Sequence, residues 1–118
     1  VMSMSVEEIA ERSRELIARA REGSLAAAEM QGAVFTVTNL GAFGIDAFTP
    51  VINYPETAIL GLGAIRRTPV FVDDDQVLAR PIMTLNLTFD HRVVDGAPAA
   101  RFLQELVAAM EGVEEKGV

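Results

Sequence analysis

The chain opens with an amphipathic pattern. Ile9, Leu16, Ile17 and Ala20, with Ser13 between them, recur at helical spacing while Glu and Arg occupy the other faces. Ser5 followed by Glu8 forms a capping box, and Gly23 follows Arg19 and Arg21 as a helix stop, so a helix is predicted between them. Its charges are mixed in sign, which argues against a basic membrane-surface helix. SLAAAEM, residues 24–30, can add a further helical turn.

The periodicity then changes. AVFTVTN is rich in β-branched and aromatic residues and predicts a strand at about 34–38, broken by the two glycines of NLGAFG. After two prolines, a strand is predicted at about 58–65. Gly61 and Gly63 there leave one face without side chains, so another backbone or a ligand can approach. TPVFVDDDQVLARP predicts a hairpin, out over 70–72 and back over 76–79, around an acidic turn. In PIMTLNLTFD, Ile82, Thr84, Asn86 and Thr88 alternate with Met83, Leu85, Leu87 and Phe89, the period of a strand. A final helix is predicted over about 97–110, capped by Asp95 or Gly96, with Pro98 in its first turn and Ala99, Leu103, Leu106, Val107 and Met110 as its apolar face. EGVEEKGV reads as a fraying tail. Helix, several strands, helix, with no regular βα alternation, predicts an α+β fold with a mixed or antiparallel sheet.

At 118 residues the chain has room for one domain with a core. Its 10 basic and 17 acidic residues give −7, which argues against a general nucleic-acid surface. Arg66-Arg67, the one basic doublet, reads as a solvated turn. With no cysteine, disulfides, thiolate metal sites and cysteine nucleophiles are excluded. Three consecutive aspartates in the hairpin turn cannot converge on one ion, and no calcium-loop spacing follows them, so no metal is expected. No apolar run approaches the roughly 20 residues a bilayer requires, and VMSMSVEEIAER lacks the pattern of a signal peptide. A soluble intracellular domain is the expectation.

TFDHRVVDGAPAARFLQEL holds the single histidine, His91, between a predicted strand and a predicted helix. Such a junction is accessible yet held on both sides, which suits a catalytic group; a histidine that merely bonds its loop fits the position equally well. One histidine suffices for acyl transfer when the nucleophile belongs to the substrate, because a base with a pKa near neutrality can take a proton from an incoming thiol or alcohol. The tetrahedral oxyanion then needs a donor, and Thr38 in TVTNLG is a hydroxyl at a strand end. Spacing alone does not pair Thr38 with His91. No GxSxG elbow is present for a serine triad.

DHRVVDGAPAARFL, FTVTNLGAFGIDAFTPVINYPETAILGLGAI and the helix followed by REGSL together resemble the C-terminal half of the catalytic domain of dihydrolipoamide acyltransferases. These are the core components of 2-oxo acid dehydrogenase complexes, related in fold to chloramphenicol acetyltransferase. The resemblance covers nearly the whole chain. Its central H-x-x-x-D-G motif is short, but is specific when combined with FTVTNLG and INYPETAILG in this order. The resemblance implies that His91 is the base on the thiol of coenzyme A or dihydrolipoamide, that Thr38 donates to the oxyanion, and that Asp95 orients the loop or pairs with an ion. It implies a homotrimer with each site between neighbouring subunits, trimers built into a larger core, and acyl-lipoate arriving on a separate lipoyl domain with coenzyme A as the second substrate. Decarboxylase and dihydrolipoamide dehydrogenase components would attach through N-terminal regions, and no metal, nucleic acid or membrane enters. The location implied is the bacterial cytoplasm, or the mitochondrial matrix in a eukaryote.

Residues 1–118 are expected to be the C-terminal portion of one such domain, without the lipoyl and subunit-binding domains. Val1-Met2-Ser3 is not the expected start of a translated chain, so a fragment or a processed chain is inferred. Two alternatives stand beside the enzyme: a non-catalytic core or scaffold subunit, and another coenzyme A-dependent acetyltransferase of the same fold. The intact DHRVVDG favours the enzyme over the scaffold, and the TNLG and NYPE segments favour the dihydrolipoamide family. GAFGIDAFTPVINYPE leans toward pyruvate- or acetoin-type complexes, with the acyl group otherwise open.

Overall fold

A computed structural model describes residues 3–73 and 75–113. Asp74, within the expected acidic turn, and most of the expected fraying tail lie outside them. The chain divides into two compact units, Val1–Ala33 and Val34–Val118.

In the first unit, α1 spans Val6–Arg21. Both halves of the capping box form: the Glu8 amide donates to Ser5 Oγ at 3.2 Å and the Ser5 amide donates to Glu8 Oε2 at 2.7 Å. These bonds satisfy two of the amide donors that a helix start leaves without partners. Glu7 and Glu8 in the first turn and Arg19 and Arg21 in the last suit the helix dipole. Gly23 follows with φ 69°, a left-handed value that favours glycine. The expected extra turn is a single 3-10 turn, Ala27–Met30. Arg19 Nη2 lies 2.6 Å from Glu29 Oε2, which also accepts the Ala26 amide at 3.0 Å. These bonds, that of Arg19 foremost, hold the Glu29 carboxyl down at about 2.

The second unit is built on a three-stranded sheet in the order β1 (Thr36–Asn39), β2 (Ala58–Leu62), β5 (Leu85–Phe89). β1 runs parallel to β2 and β5 antiparallel to it, a mixed sheet as expected. The middle strand AILGL carries the core: Ile59 and Leu60 are buried, and so are Ala64, Ala99 and Pro50. A strand flanked on both sides reads as a continuous apolar run rather than an alternating one.

The two glycines have the role their spacing indicates, and the chain itself makes the close approach. A methyl group on Gly61 would come within 2.8 Å of the Phe48 ring, and one on Gly63 would run into the Asp46 carbonyl oxygen. Gly41 is crowded in the same way by the Gly63 carbonyl. The 40–48 loop is thereby laid against the end of β2, where the Ala64 amide donates to the Ile45 carbonyl at 2.8 Å.

Between β2 and β5 the chain forms a ribbon of β3 (Arg66–Asp73) and β4 (Gln76–Ile82). The hairpin is longer than its pattern suggests. Arg66 and Arg67 are not a solvated turn: they begin β3, and Arg66 donates to Asp46 at 2.8 Å and to the Gly44 carbonyl at 2.9 Å. PIMTLNLTFD is likewise two strands, because β4 ends at Ile82 and β5 begins at Leu85. Alternation alone cannot reveal that a strand changes sheet partner midway.

α2 spans Gly96–Glu111 with Pro98 in its first turn. It rests on the sheet through buried Ala99 and through Phe102, whose ring meets Phe35 edge-on at 5.8 Å. Much apolar surface remains open, including Val34 at 86%, Val51 at 84% and Tyr54 at 90% exposure.

Candidate active site

His91 stands two residues beyond the end of β5, in the turn that leads into α2. That turn is held from both sides. The Asp90 amide donates to the Thr57 carbonyl at 2.8 Å, extending the β2–β5 ladder by one step past Ala58↔Phe89. The Val93 and Val94 amides both donate to the Asp90 carbonyl at 3.0 Å. The Asp90 carboxylate accepts the Arg92 amide at 2.9 Å and the Arg92 guanidinium at 2.6 Å. Arg92 is therefore the cause, through side chain first and backbone second, that holds the Asp90 carboxyl at about 2, and Arg92 is raised in return.

The imidazole itself is exposed, tilted at 42° against Phe89 with centroids 5.5 Å apart, and makes no hydrogen bond among the described residues. An aromatic neighbour on one side and solvent on the other leave both ring nitrogens open to an incoming group. Asp95 occupies the N-cap position of α2, and its carbonyl accepts the Ala99 amide at 3.2 Å. Its side chain makes no capping bond, so the cap read from the sequence is one of position only.

Thr38 lies in β1, half-buried, opposite Gly61 of β2, which in turn lies opposite Asn86 of β5. The structure does not bring Thr38 and His91 together. The row that holds Thr38 meets β5 at Asn86, five residues before His91 and two strands away. With a rise of about 3.3 Å per residue and about 4.8 Å between strands, the two residues are on the order of 15–20 Å apart. One chain cannot present both to the same reacting carbon.

Two open concavities lie elsewhere. One is at the ribbon tip beside Phe71, Asp73, Asp75 and Gln76; the other runs between α2 and the β4–β5 junction, lined by Ile82, Met83, Leu103 and Val107. Neither includes Thr38, His91 or Asp95. Among the described residues no group of three or more His, Cys, Asp or Glu side chains could hold a metal ion, and no helix is long and apolar enough to cross a membrane. Glu56 goes unmarked in the sequence, yet it is the one buried charged residue among those described. Its sole signal is a carboxylate two positions before the buried run AILGL.

Comparison with known proteins places these elements in context. The family described as 2-oxoacid dehydrogenases acyltransferase (catalytic domain) matches residues 1–117. The dihydrolipoyllysine-residue acetyltransferase component of the acetoin cleaving system of Bacillus subtilis is 47% identical over 108 residues, 92% of this chain and 27% of that protein. A probable dihydrolipoamide acetyltransferase from Listeria monocytogenes superposes with a TM-score of 0.92 at 37% identity, covering 98% of this chain and 49% of that one. The Azotobacter vinelandii dihydrolipoamide acetyltransferase superposes with a TM-score of 0.83 at 44% identity, over 88% of this chain and 42% of that one. Its structure was determined to address the role of a serine, a histidine and an asparagine in the catalytic mechanism. The chain thus spans about a quarter of the length of the curated relative and about half of the solved chains.

Proposed function

Since the chain belongs to the 2-oxoacid dehydrogenase acyltransferase family, matching its catalytic domain, we propose that it carries the base and the oxyanion donor for acyl transfer between dihydrolipoamide and coenzyme A. His91 takes the proton from the attacking thiol. A free thiol with a pKa of about 8.5 is only slightly ionised at neutral pH, so a base at the thiol raises the fraction that can attack. The sulfur forms a bond to the thioester carbonyl carbon, and the hydroxyl of Thr38 donates to the oxygen that becomes negative. Collapse of the tetrahedral species breaks the original C–S bond, and the departing thiolate takes the proton back from His91. The reaction is thermoneutral in bond types, a thioester for a thioester, and runs in either direction.

The observation that carries this reading is the exposed imidazole of His91 on a turn pinned at Asp90, with Asp95 four positions further on at the start of α2. In the Azotobacter vinelandii acetyltransferase the histidine and asparagine of interest are also four positions apart, and the serine stands 52 before that histidine. Thr38 stands 53 before His91, a difference that one residue in a connecting loop accounts for. Serine and threonine supply the same donor. Asp95 keeps the shape of asparagine and is assigned an orienting role, not proton transfer.

The separation of Thr38 from His91 supports a site shared between copies, the His91 turn of one meeting the Thr38 strand of the next. A homotrimer built into a larger core accommodates this, and the apolar surface left open here supports further covering. Acyl-lipoate is the donor and belongs to a separate lipoyl domain. Acetyl is the acyl group favoured by the relatives, which are acetyltransferases.

The experiment is acyl transfer from acetyl-, succinyl- or isobutyryl-coenzyme A to free dihydrolipoamide, with His91→Ala alongside. Transfer from acetyl-coenzyme A that vanishes in the variant is expected. Transfer that survives the loss of His91 removes the imidazole from the mechanism.

A further inference from the structure

The turn before β2 contains a residue that the acyl-transfer chemistry does not use. Glu56 is 8% exposed, while Tyr54 and Pro55 beside it are exposed. Its amide donates to the Asn53 carbonyl at 2.9 Å, and its Oε1 accepts from Asn53 Nδ2 at 3.2 Å. Oε2 is buried and meets no donor among the described residues. Removing a carboxylate from water is costly, and an aliphatic side chain fills such a space at lower cost. Here Glu56 closes the 53–56 turn twice, its amide donating to the Asn53 carbonyl and its carboxylate accepting from the Asn53 side chain.

This turn delivers the chain into Thr57, whose carbonyl holds the Asp90 amide at 2.8 Å. Continued from Ala58↔Phe89 through Thr57 and Asp90, the ladder sets Glu56 at the register position of His91. Asp90 then carries the rest of the turn: its carbonyl accepts two amides and its carboxylate binds Arg92. A path therefore runs by hydrogen bonds from Asn53 to Glu56, along the backbone to Thr57, and by the Thr57–Asp90 hydrogen bond to the turn on which His91 stands.

We propose that Glu56 is a positioning residue for His91, fixing the Thr57 carbonyl that anchors the His91 turn. The proposal rests on the reading of His91 as the thiol base. Glu56 acts as a hydrogen-bond acceptor and not as a charge, because no cationic side chain pairs with it among the described residues. Glutamine keeps the Oε1 acceptor for Asn53 and changes only the unpartnered position. Methionine keeps the volume and removes the acceptor.

The test compares Glu56→Met and Glu56→Gln in the unmodified protein background. It reads kcat and KM for both thiol substrates and, by NMR, hydrogen exchange at the Asp90 and Leu60 amides. In Glu56→Met, kcat is expected to fall about tenfold to a hundredfold, the penalty of a slightly misplaced catalytic group, with KM within about twofold. Asp90 exchange should speed up about tenfold with Leu60 unchanged, a local opening; Glu56→Gln should restore both. Native kcat and native Asp90 exchange in Glu56→Met would overturn the proposal, as would a loss in which Asp90 and Leu60 open together. Should Glu56→Met not fold, Asn53→Ala, which removes the partner from an exposed position, must reproduce the Asp90 opening or the proposal fails. If the unmodified protein transfers no acyl group, the reading of His91 fails, and Asp90 exchange still decides whether Glu56 anchors the turn.

Discussion

Thr38 and His91 stand toward opposite ends of one three-stranded sheet, Thr38 in the row of Gly61 and Asn86, His91 two residues past the row of Ala58 and Phe89. The separation follows from topology. β1 and β2 are parallel, so Thr38 near the end of β1 lies level with the later part of β2. β5 is antiparallel, so it leaves the sheet at the opposite end. No side-chain rotation closes a gap of that size. The shared site proposed above follows from this separation: with Thr38 as oxyanion donor and His91 as base, the reacting carbonyl would be held between two copies.

The glycines beside this sheet differ in what they can tolerate. Gly61→Ala would press a methyl onto the Phe48 ring, which can swing aside; overpacking of this kind costs about 1–3 kcal/mol. Gly63→Ala would press onto the Asp46 carbonyl, which is backbone and cannot. Chemical denaturation should therefore rank Gly63→Ala as the more destabilised of the two. Equal losses would mean that the 40–48 loop is not held against β2 as described.

Asp90 gives the His91 turn a dependence on acid. Hydrogen bonds from Arg92 hold its folded pKa at about 2, below the ordinary aspartate value, so its contribution to stability is complete above about pH 4 and disappears as pH falls toward 2. The melting temperature of the native protein should exceed that of Asp90→Asn at pH 5, with the difference closing by pH 2 and shrinking in salt. A difference independent of pH would show that the carboxylate contributes through shape alone.

At the start of α1, Ser5→Ala removes the acceptor for the Glu8 amide. A lost N-cap of this type costs about 0.5–2 kcal/mol, and the effect should appear as fraying of the first turn in amide exchange. By contrast, Asp95 heads α2 without a side-chain bond. Asp95→Ala should therefore cost α2 less than Ser5→Ala costs α1, while still slowing acyl transfer if Asp95 orients the His91 turn. Equal fraying of the two helices would restore Asp95 to the role of a helix cap.

Local signals made the helices legible. Ser5 with Glu8, Gly23, and Pro98 in a first turn are marks that depend on nearby residues only, and both helices begin and end within a residue or two of them. The β-branched run and the Gly61/Gly63 pair marked β1 and β2 for the same reason. Arg66-Arg67 and PIMTLNLTFD misled because their structure depends on distant partners. Asp46 draws Arg66 into a strand, and the change from β3 to β2 as a partner splits one alternating run into β4 and β5. The candidate site residues came from residue types in a motif, and a site between neighbouring subunits came from the resemblance alone. Spacing set no distance between Thr38 and His91, because that distance depends on strand order, and the burial of Glu56 depends on a turn packing inward.

The central claim is that His91 of one copy works with Thr38 of another. Its most direct test mixes two disabled proteins, Thr38→Ala and His91→Ala, by co-expression or by joint refolding. Each alone is expected to be slow, Thr38→Ala by about a hundredfold to a thousandfold through loss of the oxyanion donor. Random assembly places an intact His91 beside an intact Thr38 at about a quarter of the shared sites, so the mixture should recover up to about a quarter of native acyl transfer. A mixture no more active than the two variants assayed apart would contradict a shared site.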